Sequence, residues 1–166
     1  MPISRRSLLG AGGAIAAAGI AARAAAPAGA AEAPRKAVGK AGEFLVGKPV
    51  AFAYPDARAP AIAVRLREPV PYGAGPHHDI VAYSQLCVHK GCPVGYNAKD
   101  EIFVCPCHWS TYDPAKDGQM IIGHATTDLP RIELAYDAKT DELTAVGVHG
   151  LIYGRSSNEP RKDGVL

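Results

Sequence analysis

Cys87-Val88-His89-Lys90-Gly91-Cys92-Pro93 and, one short segment later, Cys105-Pro106-Cys107-His108-Trp109-Ser110-Thr111-Tyr112-Asp113 carry all four cysteines of the chain and two of its six histidines. The spacing is C-x-H in the first half and C-x-x-H in the second, with an extra Cys inside each. Thiolates and neutral imidazoles are metal ligands, and close spacing places one of each on a short loop. A structural zinc site could use such residues, but zinc fingers pair Cys with Cys and His with His, and here each half is mixed. A thioredoxin-like site would need C-x-x-C, and Cys105-Pro106-Cys107 is C-x-C.

The mixed halves resemble the Rieske centre, in which two His replace two Cys on one iron of a [2Fe–2S] cluster. The resemblance implies one iron held by Cys87 and Cys105 and the other by His89 and His108. Cys92 and Cys107 are then spare, one in each loop, and are expected to form a disulfide that ties the loops together. Imidazoles in place of two thiolates leave less negative charge on the cluster and raise its potential, to about −150 to +300 mV against about −400 mV for plant-type ferredoxins. Ser110 and Tyr112 resemble the Ser and Tyr of high-potential Rieske proteins, whose hydroxyls donate to a bridging sulfide and to a ligand Cys sulfur. Such donors stabilise the reduced cluster. The plainer reading is a turn Ser and a core Tyr.

Around this stretch, the chain of 166 residues suffices for one modest domain with its own core. A net charge of +2 without a basic stripe argues against nucleic acid as a partner. Eighteen Gly, fourteen Pro and only 7% aromatics suit a loop-rich all-β protein. The expectation is an antiparallel β-sandwich or barrel of Rieske type, with the two ligand loops as a small cluster-binding subdomain.

Residues 1–31 read as a removable segment. Ser4-Arg5-Arg6-Ser7-Leu8-Leu9 resembles the twin-arginine export motif, with Arg5 and Arg6 as its signal. The weakly apolar, Ala/Gly-rich run from Leu8 to Ala22 is short of the ~20 strongly apolar residues of a membrane span. Ala24-Ala25-Ala26 and Ala28-Gly29-Ala30 offer cleavage sites. Folded export suits a protein whose cluster is inserted in the cytoplasm and whose disulfide persists in an oxidising periplasm. Retention of the segment as a membrane anchor is the rival.

Residues 32–48 are expected to be a leader, with Arg35, Lys36, Lys40 and Lys48 as a solvated basic stretch. The domain is placed at 49–155 and a polar C-terminal tail, expected to fray or to lie on a partner, at 156–166. Short apolar or alternating runs predict strands at 50–54, 61–66, 79–84, 101–104 and 119–122. A hairpin is expected from 131–136 and 143–148, and Leu151-Ile152-Tyr153 is expected to close the sheet. Strands at 79–84 and 101–104 lead straight into the ligand loops. His77 and His78 read as surface polar residues, and His149 reads as part of a turn beside Gly150. His124 lies in Gly123-His124-Ala125, where respiratory-chain Rieske proteins often carry Gly-Pro-Ala in a third loop covering the cluster. A His there could sit near the cluster or at a partner interface.

Residues 50–155 are similar to the small Rieske subunit of arsenite oxidase. The likeness rests on Phe52-Ala53-Tyr54-Pro55-Asp56, Asn97 to Asp100, Gly118-Gln119-Met120-Ile121-Ile122-Gly123, Leu129-Pro130-Arg131, Leu143-Thr144-Ala145-Val146-Gly147 and Gly150-Leu151-Ile152-Tyr153-Gly154-Arg155. It implies a large partner subunit with a molybdenum bis-pterin cofactor and a [3Fe–4S] cluster, where arsenite becomes arsenate. This chain would carry the electrons through one Rieske [2Fe–2S] cluster to a periplasmic cytochrome c or blue copper protein, and would itself hold no catalytic residue. The rival functions are the Rieske subunit of a quinol–cytochrome c oxidoreductase, a soluble Rieske ferredoxin and a zinc-binding structural module.

Overall fold

The computed structural model describes residues 33–161. Ten strands and two short 3-10 turns make up the regular structure there, so the expected all-β class is what forms. The strands are β1 (Lys36–Lys40), β2 (Val50–Ala53), β3 (Pro60–Arg65), β4 (Ile80–Ser84), β5 (Gly95–Asn97), β6 (Ile102–Val104), β7 (Thr111–Asp113), β8 (Gln119–Ile122), β9 (Arg131–Asp137) and β10 (Glu142–His149). They form a six-stranded antiparallel sheet in the order β1-β10-β9-β4-β3-β2 and a four-stranded sheet in the order β5-β6-β7-β8. The small sheet is an excursion between two neighbours: the chain leaves the large sheet after β4, builds β5 to β8, and returns as β9 beside β4.

Alternation within β3 and β4 joins the two sheets. Side chains along a strand point to opposite faces in turn. Ala61 and Ala63 of β3 and Ile80 and Ala82 of β4 face a core shared with Phe44, Tyr54, Leu143 and Ala145. Ile62, Val64, Val81 and Tyr83 face the other way, into a second core with Phe103, Tyr112, Cys87 and Cys105. Both strands are therefore buried on both sides, and the ligand loops stand on that second core. Tyr83 locks the joint. Its ring packs edge-on against Phe103 at 5.5 Å, and its hydroxyl donates to the Pro114 carbonyl at 2.8 Å.

Three expectations change. Residues 32–48 are not a leader, because β1 pairs with β10 and Ala41 and Phe44 are buried core residues. The lysines at both ends of β1 are exposed on an outer strand, where charge discourages edge-to-edge pairing. Leu151-Ile152-Tyr153 does not close the sheet. There the Ile152 N–H donates to Asn158 Oδ1 at 3.2 Å, and the Asn158 amide donates to the Gly150 carbonyl at 2.6 Å, so local bonds take the place of a ladder. The polar tail, as far as it is described, folds back: Arg155 pairs with Asp56, and the Arg161 N–H donates to the same carboxylate at 2.8 Å. The hairpin of β9 and β10 forms with Asp137 opposite Glu142 and one register shift between Ala145 and Gly147.

Candidate metal centre

Each ligand loop begins at the end of a strand and is closed by the same two backbone bonds. In the first, the Gly91 N–H donates to the Cys87 carbonyl at 2.8 Å, and the Cys87 N–H donates to the Cys92 carbonyl at 2.9 Å. In the second, the Trp109 N–H donates to the Cys105 carbonyl at 2.9 Å, and the Cys105 N–H donates to the Ser110 carbonyl at 2.8 Å. The closing residues are both left-handed, with φ of 73° at Gly91 and 60° at Trp109. Chain that would otherwise be irregular thus satisfies its own backbone and holds its donors rigidly.

Like donors are brought together. Cys87 and Cys105 are fully buried free thiols, at 0% and 1% exposure. The His89 and His108 rings lie 4.7 Å apart toward the surface, His89 half-buried and His108 exposed. Cys92 and Cys107 are joined as a disulfide that ties loop to loop. The Sγ atoms of Cys92, Cys105 and Cys107 lie within 4.8 Å of one another, but two of these are spent on the disulfide, so that trio is not three free thiolates. Two thiols and two imidazoles remain, a donor set that suits a [2Fe–2S] cluster with unlike irons. His89 supports the fit: its Nδ1 is buried and has no hydrogen-bond partner, an unmet need that a metal ion would meet.

The surroundings favour negative charge on the Cys87 sulfur. Tyr112 Oη lies 3.2 Å from Cys87 Sγ. Burial pushes the Tyr112 hydroxyl up, and the neighbouring Cys87 pushes it further, so it stays protonated and able to donate. Burial alone would raise the Cys87 thiol, but Tyr112, the backbone N–H groups of His89 and Lys90, and Cys105 outweigh it and hold it below the usual thiol range. Cys105 moves the other way, pushed up by burial and by Cys87 beside it. Desolvation, then the rings of His108 and His124 and the charge of Lys90, hold His89 below the usual imidazole value. It is therefore neutral at working pH, the form that binds metal.

A third loop covers this pair. Ser110 Oγ, fully buried, accepts from the N–H groups of His124 at 3.1 Å and Ala125 at 3.0 Å. Its own O–H remains free to donate, as a hydrogen-bonding role toward the cluster would require. Gly123 fits because a Cβ there would lie 2.4 Å from Ser110 Cα, and its φ is +116°. His124 lies with the ligand rings: it stacks on His89 at 5.5 Å and 23° and stands edge-on to His108 at 5.9 Å.

His77 and His78 are exposed loop residues, and exposed His149 lies 3.2 Å from Glu133. Arg5 and Arg6 lie outside the described residues. The matching closure of the two loops was missed in the sequence, although Gly91 and Trp109 occupy the same place after Cys87 and Cys105. The tie between Asp56 and Arg155 was missed too, for no local signal links residues so far apart.

Residues 37–133 match the family model of the Rieske [2Fe–2S] domain. The iodate reductase subunit IdrB of Denitromonas iodatirespirans is 43% identical over 162 residues, covering 94% of this chain and 86% of that one. Its namesake in Pseudomonas sp. (strain SCT) is 37% identical over 126 residues, covering 74% and 65% respectively. Among solved structures, the soluble domain of the Rieske protein II (soxF) of Sulfolobus acidocaldarius superposes with a TM-score of 0.66 at 28% identity, over 77% of this chain and 83% of that one.

Proposed function

This chain belongs to the Rieske [2Fe–2S] domain family, and on that premise we propose that it is the electron-transfer subunit of a molybdenum oxidoreductase acting on an oxyanion. Cys87 and Cys105 would hold one iron, and His89 and His108 the other. The observation that carries the reading is the 43% identity to an iodate reductase subunit over nearly the whole chain. A relative matched only in the ligand loops would say no more than that a cluster binds.

When bound, the cluster supplies one-electron transfer at a potential raised by its two imidazoles. The protein's part is to hold and tune. Buried Cys87 and Cys105 anchor the inner side, His89 and His108 form the outer edge, and the hydroxyls of Tyr112 and Ser110 stand ready to donate toward sulfur. The Cys92–Cys107 disulfide keeps the two loops in register.

The relatives favour iodate reduction, in which electrons enter the catalytic subunit through this chain. The arsenite oxidase resemblance of segments such as Phe52 to Asp56 and Gly150 to Arg155 favours the opposite flow, from arsenite outward. In either case the substrate is handled in a large molybdopterin and [3Fe–4S] subunit. A periplasmic cytochrome c or blue copper protein is then the soluble redox partner, and Arg5 and Arg6 direct export of the folded protein.

The test is to purify the native complex through a C-terminal tag on this chain. Its fractions are assayed for iodate-dependent oxidation of a reduced cytochrome c and for arsenite-dependent reduction of an oxidised one. A molybdenum-containing partner with either activity supports the proposal and decides the direction. Recovery with b- and c-type haems from the membrane fraction would replace it with the quinol-oxidising reading.

A further inference from the structure

The two ligand loops share their closure and differ in what covers it. Gly91 and Trp109 hold the same left-handed place, which glycine adopts freely and in which any other L-residue is strained. The ring of Tyr153, from the chain's own C-terminal segment, lies over Gly91 so closely that a Cβ there would be 2.6 Å from it. Trp109 has no such cover among the described residues, and its indole is 71% exposed. Both the backbone conformation and the water contact would be better served by glycine. A large aromatic held in strain and in water, next to the ligand His108, points to an occupant from outside the chain.

The surroundings indicate what kind. Trp109 walls an open groove of about 620 Å³ together with Pro93, Val94, Tyr96, Val104 and Pro106, along the outer strand β5. No acidic or basic side chain lines it. Passing electron-transfer partners meet small surfaces and are steered by charge, whereas lasting subunits bury apolar centres from which charge is excluded. An uncharged groove with an aromatic anchor is of the second kind.

We propose that Trp109 and this groove seat an uncharged, apolar segment of the large catalytic subunit, a proposal that rests on the reading given under Proposed function. The test co-expresses that subunit with the wild-type chain, with Trp109→Gly and with Gly95→Asp. Trp109→Gly removes the ring and relieves the left-handed strain, so the fold survives. Gly95→Asp adds a charge in open space, with the nearest atom, the Val104 carbonyl oxygen, 4.0 Å from its Cβ. Each variant is expected to keep the cluster's EPR spectrum while weakening subunit association by about tenfold or more. Because the chain has a single Trp, hydroxyl-radical labelling gives an independent readout: Trp109 should be labelled in the isolated chain and lose most of that labelling in the complex.

Equal labelling in both states, or undiminished association of Trp109→Gly, overturns the proposal. So does a variant that keeps the catalytic subunit but exchanges electrons more slowly with the cytochrome, since the groove would then belong to the soluble partner. If the wild-type chain itself captures no molybdenum-containing subunit, the proposed function falls, and this occupant with it.

Discussion

Tyr112 Oη stands 3.2 Å from Cys87 Sγ, inside a core that leaves both residues fully buried. A phenol kept protonated by burial has one use for its proton there, and the sulfur is the acceptor within reach. Tyr112→Phe removes that donor while keeping the ring. A hydrogen bond stronger to the reduced centre by about 1 kcal/mol corresponds to about 40 mV for a one-electron couple. The variant should therefore show a potential lower by that order with its cluster retained. An unchanged midpoint in protein-film voltammetry would mean that the hydroxyl does not tune the sulfur.

Ser110 acts on two levels. Its Oγ accepts from both His124 and Ala125, and its free proton is available to the cluster. Ser110→Ala should lower the potential as Tyr112→Phe does. It should also destabilise the fold by about 2 kcal/mol, because the buried N–H of Ala125 and the half-buried N–H of His124 lose their acceptor. Thermal unfolding of the loaded protein separates the effects: Tyr112→Phe should shift the potential with the smaller loss of stability.

The Cys92–Cys107 disulfide joins the two loops beyond the last pair of β5 and β6, Gly95 opposite Val104, and it closes a segment of sequence separation 15. The double variant Cys92→Ser, Cys107→Ser should lose about 3 kcal/mol of stability on chain-entropy grounds. Faster bleaching of the visible absorbance on warming should accompany it. If the cluster lifetime equals that of the wild type, the second core and the pairing of β5 with β6 hold the loops without the disulfide.

Asp56 ties the C-terminal segment to the domain through Arg155, with the two side chains only 14% and 4% exposed. Burial would raise its carboxyl, but the bonds from Arg155 and from the backbone N–H groups of Arg161 and Arg58 outweigh it and hold the value below the usual carboxylate range. A depressed folded-state value contributes stability at neutral pH, and this is lost as pH falls through it, below about pH 4. Asp56→Asn should cost about 3 kcal/mol at neutral pH by leaving a buried guanidinium unpaired. Urea unfolding from pH 7 to pH 3 should show the wild type losing its advantage over the variant as the solution becomes acid. A constant gap would remove the ion pair as its source.

Much of this molecule could be read from short stretches. The spacing of Cys87, His89, Cys105 and His108 is covalent, and each donor pair lies within one loop, so the chemistry of the centre is written locally. β3, β4 and the hairpin of β9 and β10 were visible for the same reason, since apolar alternation records which face of a strand is buried. What covers the centre was decided by the tertiary fold. β1 exists because β10 offers it an edge, and its own basic residues gave no hint of burial beside them. Tyr153 lies on Gly91, Arg155 on Asp56 and His124 on His89 because two sheets share the second faces of β3 and β4 and bring distant segments to one end. Local pattern determines conformation and donor identity. Contacts between remote segments depend on how whole faces pack, and no run of neighbouring residues records that.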